Sequence, residues 1–175
     1  MNEYTFNFGE QIKMSHGIAL SLDFRAILLG ELPNAIDVLQ SSESDDKNGT
    51  DWWVIRQYNK PLSVDLKARS KDFGKDDLAL ETWSAVETKK VGWTRDDKKA
   101  TDYILWFWND TRRWCLVPFP MLCRIFSINW ERWQNIYKSA LQKTDCENSY
   151  HSECVFVPRK VVWLAIINHY SGVEL

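Results

Sequence analysis

Trp52-Trp53-Val54-Ile55-Arg56-Gln57-Tyr58, Asn59-Lys60-Pro61 and Leu62-Ser63-Val64-Asp65-Leu66-Lys67-Ala68 form the stretch whose reading decides the fold. Two runs rich in β-branched and aromatic residues flank a turn-forming triplet, which predicts a β-hairpin turning at Asn59-Lys60-Pro61. Side chains alternate along a strand, so Val64, Leu66 and Ala68 belong to one face and Asp65, Lys67 and Arg69 to the other. An acid and a base side by side on a strand have an ordinary explanation as an exposed ion pair, worth little in stability. Phosphodiester hydrolysis gives them a stronger one. The phosphodiester is anionic, and a divalent cation on carboxylates neutralises it and acidifies a bound water. A lysine can then orient or deprotonate that water, or stabilise the developing charge.

Outward from the hairpin, Gly49-Thr50-Asp51 places a second carboxylate with thirteen residues between it and Asp65. With the turn at Asn59-Lys60, Asp51 falls opposite Lys67 or Ala68. A bulge, or a bend at Gly49-Thr50, is then needed to bring the two acids together. Asp51 and Asp65 suit Mg²⁺ or Mn²⁺, hard ions that take carboxylate, carbonyl and water oxygens. The Leu66 carbonyl offers a further oxygen.

Asp51 followed by Asp65-Leu66-Lys67 resembles the PD-(D/E)XK nuclease superfamily, with Thr50 where Pro usually precedes the first Asp. The likeness is to phage or prophage-type members and extends loosely through Leu80-Glu81-Thr82-Trp83-Ser84, Gly92-Trp93-Thr94 and Thr101-Asp102-Tyr103-Ile104. It implies a restriction-endonuclease-like fold, a central mixed sheet flanked by helices. It also implies a metal-dependent DNA endonuclease with Asp51 and Asp65 on the metal, Lys67 on the water and Glu81 on the next strand as a third acid. Glu10 or Glu31 are further acids of the kind many members add from an N-terminal helix. Many enzymes of this fold act as dimers, so a homodimer is expected. Arg69, Lys71 and Lys75, with Lys89 and Lys90, are candidates to track phosphates, against the ordinary alternative of surface charge. The competing function is an inactive nuclease-fold binding protein, a phage-type inhibitor or nucleic-acid-binding module. RNA is a third, weaker substrate option.

The rest of the chain sets limits. Its 175 residues predict a single α/β or α+β domain, residues 1–175, with 45% hydrophobic and 14% aromatic residues to fill a core. A net charge of −2 excludes a broadly cationic nucleic-acid binder, not a nuclease with a local basic face. No membrane-length apolar run is present, and Met1 to Lys13 carries no signal pattern, so the cytoplasm is the expected location. The four cysteines read as free thiols. A zinc reading from Cys146, His151 and Cys154 has irregular spacing and no obvious fourth ligand. Ten tryptophans supply core volume. Trp52, Trp53, Trp83 and Trp93 flank the motif and could stack on bases, although core packing is the commoner role.

Helical spacing is read at Ile18, Leu22, Ile27, Leu28, Ala35, Ile36 and Leu39, broken at Pro33. Ser41–Thr50 reads as a loop, with Asp45 and Asp46 solvated. Strands are expected at 78–83, 103–108, 113–117 and 155–158. Helices are expected over 120–142 and 159–170, the second stopped near Gly172. Asp102 is read as beginning a strand or capping a turn.

Overall fold

A computed structural model of the chain describes residues 22–72, 76–143 and 150–172. The fold is α+β with two sheets, and the chain divides into two compact units interleaved in sequence.

One unit spans residues 12–72 and 98–120. It holds helix α1 (Leu22–Glu31), strand β1 (Ala35–Gln40), the short helix α2 (Glu43–Lys47), and strands β2 (Trp52–Arg56), β3 (Asn59–Arg69), β6 (Tyr103–Trp108) and β7 (Trp114–Pro118). Its sheet runs β1-β2-β3-β6-β7 and is mixed. β1, β2 and β3 form an antiparallel meander, β6 lies parallel to β3, and β7 is antiparallel to β6. The hydrophobic runs of β2 and β3 bury Val54 and Val64 completely, in a cluster with Phe24 and Leu28 of α1 and Leu105 of β6. Each such side chain contributes about 1.5–3 kcal/mol of burial. Leu66 packs against the same cluster, so alternation along β3 puts Val64 and Leu66 on the core face as expected.

The other unit takes residues 73–97 and 121–175. It holds β4 (Asp77–Ala85), β5 (Lys90–Val91), a 3₁₀ turn (Trp93–Arg95), most of helix α3 (Phe119–Ile136), β8 (Ser139–Lys143), β9 (His151–Pro158) and helix α4 (Arg159–Ser171). Its antiparallel sheet runs β5-β4-β9-β8, with Leu78, Leu80, Val155 and Val157 fully buried. Gly172 ends α4 at φ 69°, the left-handed conformation in which glycine terminates helices.

The elements differ from expectation at four places. Residues 35–40 form edge strand β1, not helix. Ile36 and Leu39 match helical spacing but are exposed, while Val38 is buried by pairing with β2. Within the expected loop, Glu43–Lys47 is helical and capped by Ser42, whose Oγ accepts from the Asp45 N–H at 3.3 Å. The hairpin turns at Gln57-Tyr58, with Tyr58 at φ 62°, so Asn59 and Pro61 already lie in β3. Pro61 is tolerated because the β2–β3 register shifts between Val54 and Arg56. The helix expected over 120–142 stops at Ile136, and Leu141 sits in β8, held by pairing with β9.

Among the described residues, no helix is long and apolar enough to cross a membrane. Cys115, Cys123 and Cys154 are free thiols, as expected. Cys146 lies outside the described residues, and with it the zinc reading. Four tryptophans, Trp52, Trp106, Trp108 and Trp133, are core residues.

Candidate active site

The register shift in the hairpin positions the two acids. Trp53 pairs with Ser63 and Trp52 with Val64. That ladder ends at Trp52, and Asp51 adjoins Val64 and Leu66, the residues on either side of Asp65, rather than Lys67 or Ala68. The earlier turn is the physical reason. The two acids are close enough for the charge of Asp65 to act on Asp51. The Asp51 N–H donates to the Val64 carbonyl at 3.0 Å, and Asp51 Oδ2 accepts from the Leu66 N–H at 2.6 Å. A charge-assisted bond of that kind is worth roughly 1.5–3 kcal/mol. The Leu66 backbone thus meets Asp51 through its N–H.

Asp65 is not solvated. Its side chain is 3% exposed, with Lys67 Nζ 2.7 Å from Oδ1 and Lys99 Nζ 2.5 Å from Oδ2. Lys67 remains 28% exposed and Lys99 only 10%. Burial opposes ionisation of Asp65, but the charges and hydrogen bonds of Lys67 and Lys99 outweigh it and hold the carboxyl below its ordinary range. Burial and the neighbouring Lys67 act together against protonated Lys99, and its pKa falls despite the attraction of Asp65. Asp51 is pushed the opposite way. Burial, reinforced by the charge of Asp65 and by a side-chain hydrogen bond with Asp46, raises it from 3.8 to about 7, against the pull of Lys67 and the Leu66 N–H. One carboxyl of the pair is stabilised as the anion, and the other is pushed toward its neutral form, chiefly by burial.

Lys99 had no signal in the sequence. It comes from the polar stretch before β6 and reaches Asp65 past Gly49, whose φ is 89°. A Cβ on Gly49 would run into Cδ, Cε and Nζ of Lys99. Two threonines fasten this crossing. Thr101 Oγ1 donates to the Gly49 carbonyl at 2.6 Å, and Thr50 Oγ1 to the Ala100 carbonyl at 3.2 Å. Asp102 does cap the start of β6, with Oδ2 accepting from the Ser63 N–H at 2.8 Å and from Ser63 Oγ at 3.0 Å.

Glu81 was expected on the strand next to β3, but the neighbours of β3 are β2 and β6, and β4 belongs to the other sheet. There Glu81 accepts from the Trp93 N–H at 2.9 Å, its own N–H donates to Thr94 Oγ1 at 2.9 Å, and Gly92 packs against its backbone. Glu31 is exposed at the end of α1, and Arg69 and Lys71 are exposed at and just beyond the end of β3. Lys89 and Lys90 are exposed on the other unit. Lys75 and Glu10 lie outside the described residues. Asp45, expected to be solvated, accepts from Ser42 Oγ at 2.9 Å and from Trp53 Nε1 at 3.4 Å. Among the described residues no group of three or more His, Cys, Asp and Glu side chains gathers to hold an ion. The candidate donor set is therefore the pair Asp51 and Asp65, and one or two carboxylates completed by water and substrate oxygens are what Mg²⁺ commonly takes.

Comparison with protein-family models, curated proteins and solved structures finds no match, so the site is read from its own geometry.

Proposed function

We propose that this chain is a metal-dependent DNA endonuclease of the PD-(D/E)XK type. The observation that carries the reading is the Asp51 carboxyl held on the backbone N–H of Leu66, next to Asp65, with Lys67 bound to Asp65. Burial first, and the neighbouring charge of Asp65 second, raise the pKa of Asp51, and a bound cation would relieve both. Asp51 and Asp65 are the residues to hold Mg²⁺ or Mn²⁺, and the ion's contribution when bound is charge neutralisation and a more acidic water. Lys67 is the more exposed of the two lysines on Asp65, so its ammonium is the one nearer to an incoming water or phosphate oxygen. Asp51 is fixed by the Leu66 N–H, which preorganises its carboxylate without a flexible loop.

A second reading has its own support. Both oxygens of Asp65 already carry ammonium partners, as expected of a structural ion-pair cluster in an inactive binding protein. Incubation of purified protein with plasmid and oligonucleotides, in Mg²⁺, Mn²⁺ or EDTA, separates the two. The endonuclease cleaves only with metal, and Lys67→Ala lowers the rate roughly 10²–10⁴-fold, the range for removal of a proton-transfer group. Absence of cleavage on every nucleic acid in both metals overturns the catalytic reading.

A further inference from the structure

Asp65 is charge-balanced before any ion or substrate arrives, and the two ammonium groups responsible are not equivalent. Lys67 sits on the same strand as Asp65 and remains partly in water. Lys99 comes from a distant part of the sequence and is the deeper of the two. Its stem passes over a residue that has no Cβ, along a crossing fixed by the Thr101–Gly49 and Thr50–Ala100 hydrogen bonds. A lysine so confined has little freedom to follow a substrate. Its charge is also less screened than that of Lys67, because effective interactions strengthen as water is excluded.

We infer that Lys99 is a resident counter-cation that competes with a divalent ion for Asp65. The inference rests on the metal-site reading above and specifies how that site is regulated. An ammonium 2.5 Å from Oδ2 and a dication on the same carboxylate repel each other, so the ion must displace Lys99 or share the acid with it. Lys99 thereby keeps the fold stable without metal and lowers metal affinity. Such a site suits an abundant ion that is bound weakly and completes its shell with water, as Mg²⁺ does.

Mn²⁺ titration by calorimetry, with thermal melting in EDTA and in saturating Mn²⁺, tests the inference on wild type, Lys99→Met, Lys99→Gln and Lys67→Met. Removal of the buried charge should tighten Mn²⁺ binding at least roughly tenfold, the scale of one close charge lost at a partly screened site. Lys67→Met should tighten it less. Both Lys99 variants should melt lower than wild type in EDTA and gain more from Mn²⁺. Variants that fold only with Mn²⁺ also support the inference, because the ion then replaces the ammonium. Variants that stay unfolded with Mn²⁺ overturn it. Wild-type binding that requires both Asp51 and Asp65, but is not tightened by either Lys99 variant, overturns the competition and leaves the metal site standing. Failure of every form to bind Mn²⁺ overturns both readings.

Discussion

Asp51 accepts its 2.6 Å hydrogen bond from the N–H of Leu66, the residue that follows Asp65, and this bond ties the first acid to the strand of the second. The two carboxyls are neighbours, but their surroundings shift them in opposite directions. Asp65 has two lysines and stays ionised. Asp51 has a backbone donor and a repulsive neighbour. From this asymmetry come the sharpest solution tests.

The pH dependence of stability should carry the signature of Asp51. Its pKa is about 7 in the folded chain and 3.8 when unperturbed. Between those values the folded state binds the additional proton, so stability is full below pH ~4 as far as this group is concerned and falls as pH rises toward 7. The gap corresponds to about 4 kcal/mol at most, at ~1.4 kcal/mol per pH unit. Urea denaturation across this range should show the decline in wild type. Asp51→Asn keeps the shape, removes the charge and should flatten it. Saturating Mg²⁺ should restore stability at pH 8 in wild type alone, because the ion binds the deprotonated acid. A wild type whose stability does not fall between pH 4 and 8 refutes the raised pKa of Asp51. Asp65 works in the other direction. Its depressed pKa contributes stability above its ordinary value that is lost only as pH falls further through the folded value.

The three charges at Asp65 should behave as one unit. Asp65→Leu strands Lys99 and, less severely, Lys67, and should cost about 3–5 kcal/mol. Adding Lys67→Met and Lys99→Met to that variant should recover most of the loss, since a buried ionic group replaced entirely by apolar residues is often neutral or stabilising. Independent, additive losses in the triple variant would show that the lysines do not act through Asp65.

The hairpin and the alternation of β3 were readable because period-two patterning survives wherever one face is buried, as Val64 and Leu66 show. The second acid and the Asp-x-Lys triplet were readable for the same reason. The register between them was not. Pro61 looked like part of the turn, whereas it sits at a shifted register inside β3, and that difference moves Asp51 from Lys67 or Ala68 to the residues on either side of Asp65. Lys99 was illegible because its role depends on β6 lying parallel to β3. Only that pairing brings residues 99–102 to the end of the sheet where Gly49, Asp51 and Ser63 stand. Glu81 lies on β4, the next strand in sequence, which pairs in the other sheet rather than beside β3, and strand order is not legible from sequence order. β1 was hidden because the exposed positions of an edge strand, Ile36 and Leu39, imitate a helical stripe.

Gly49 is required by the path of Lys99 as well as by its own backbone. Gly49→Ala must accommodate a side chain at φ 89° and push aside the lysine stem, so a loss of about 1–3 kcal/mol is expected from strain of this kind. Gly30 in α1 is the control. A Cβ there meets no atom within 4 Å, and Gly30→Ala should stabilise the protein by up to about 1 kcal/mol through helix propensity. Denaturant midpoints measured side by side decide it. Equal effects at the two positions would mean that the Gly49–Lys99 crossing carries no constraint.

The basic residues beyond Lys67 should reveal themselves through salt. Arg69 closes β3 and Lys71 lies two residues further on, both exposed, so neither is needed for folding and Ala at either position should change stability by no more than about 0.5 kcal/mol. If they contact phosphates, each contributes to counterion release. The double variant should then lower the slope of log K against log salt by about 1.8 for duplex DNA, or about 1.4 for a single strand. Fluorescence anisotropy in Ca²⁺, used to limit cleavage, at several salt concentrations gives the slope. An unchanged slope with unchanged affinity assigns both residues to ordinary surface charge and moves the nucleic-acid path away from the end of β3. A lower slope with undiminished metal affinity places them in substrate binding alone. Metal binding should not respond, because neither residue takes part in the carboxylate–lysine cluster formed by Asp51, Asp65, Lys67 and Lys99.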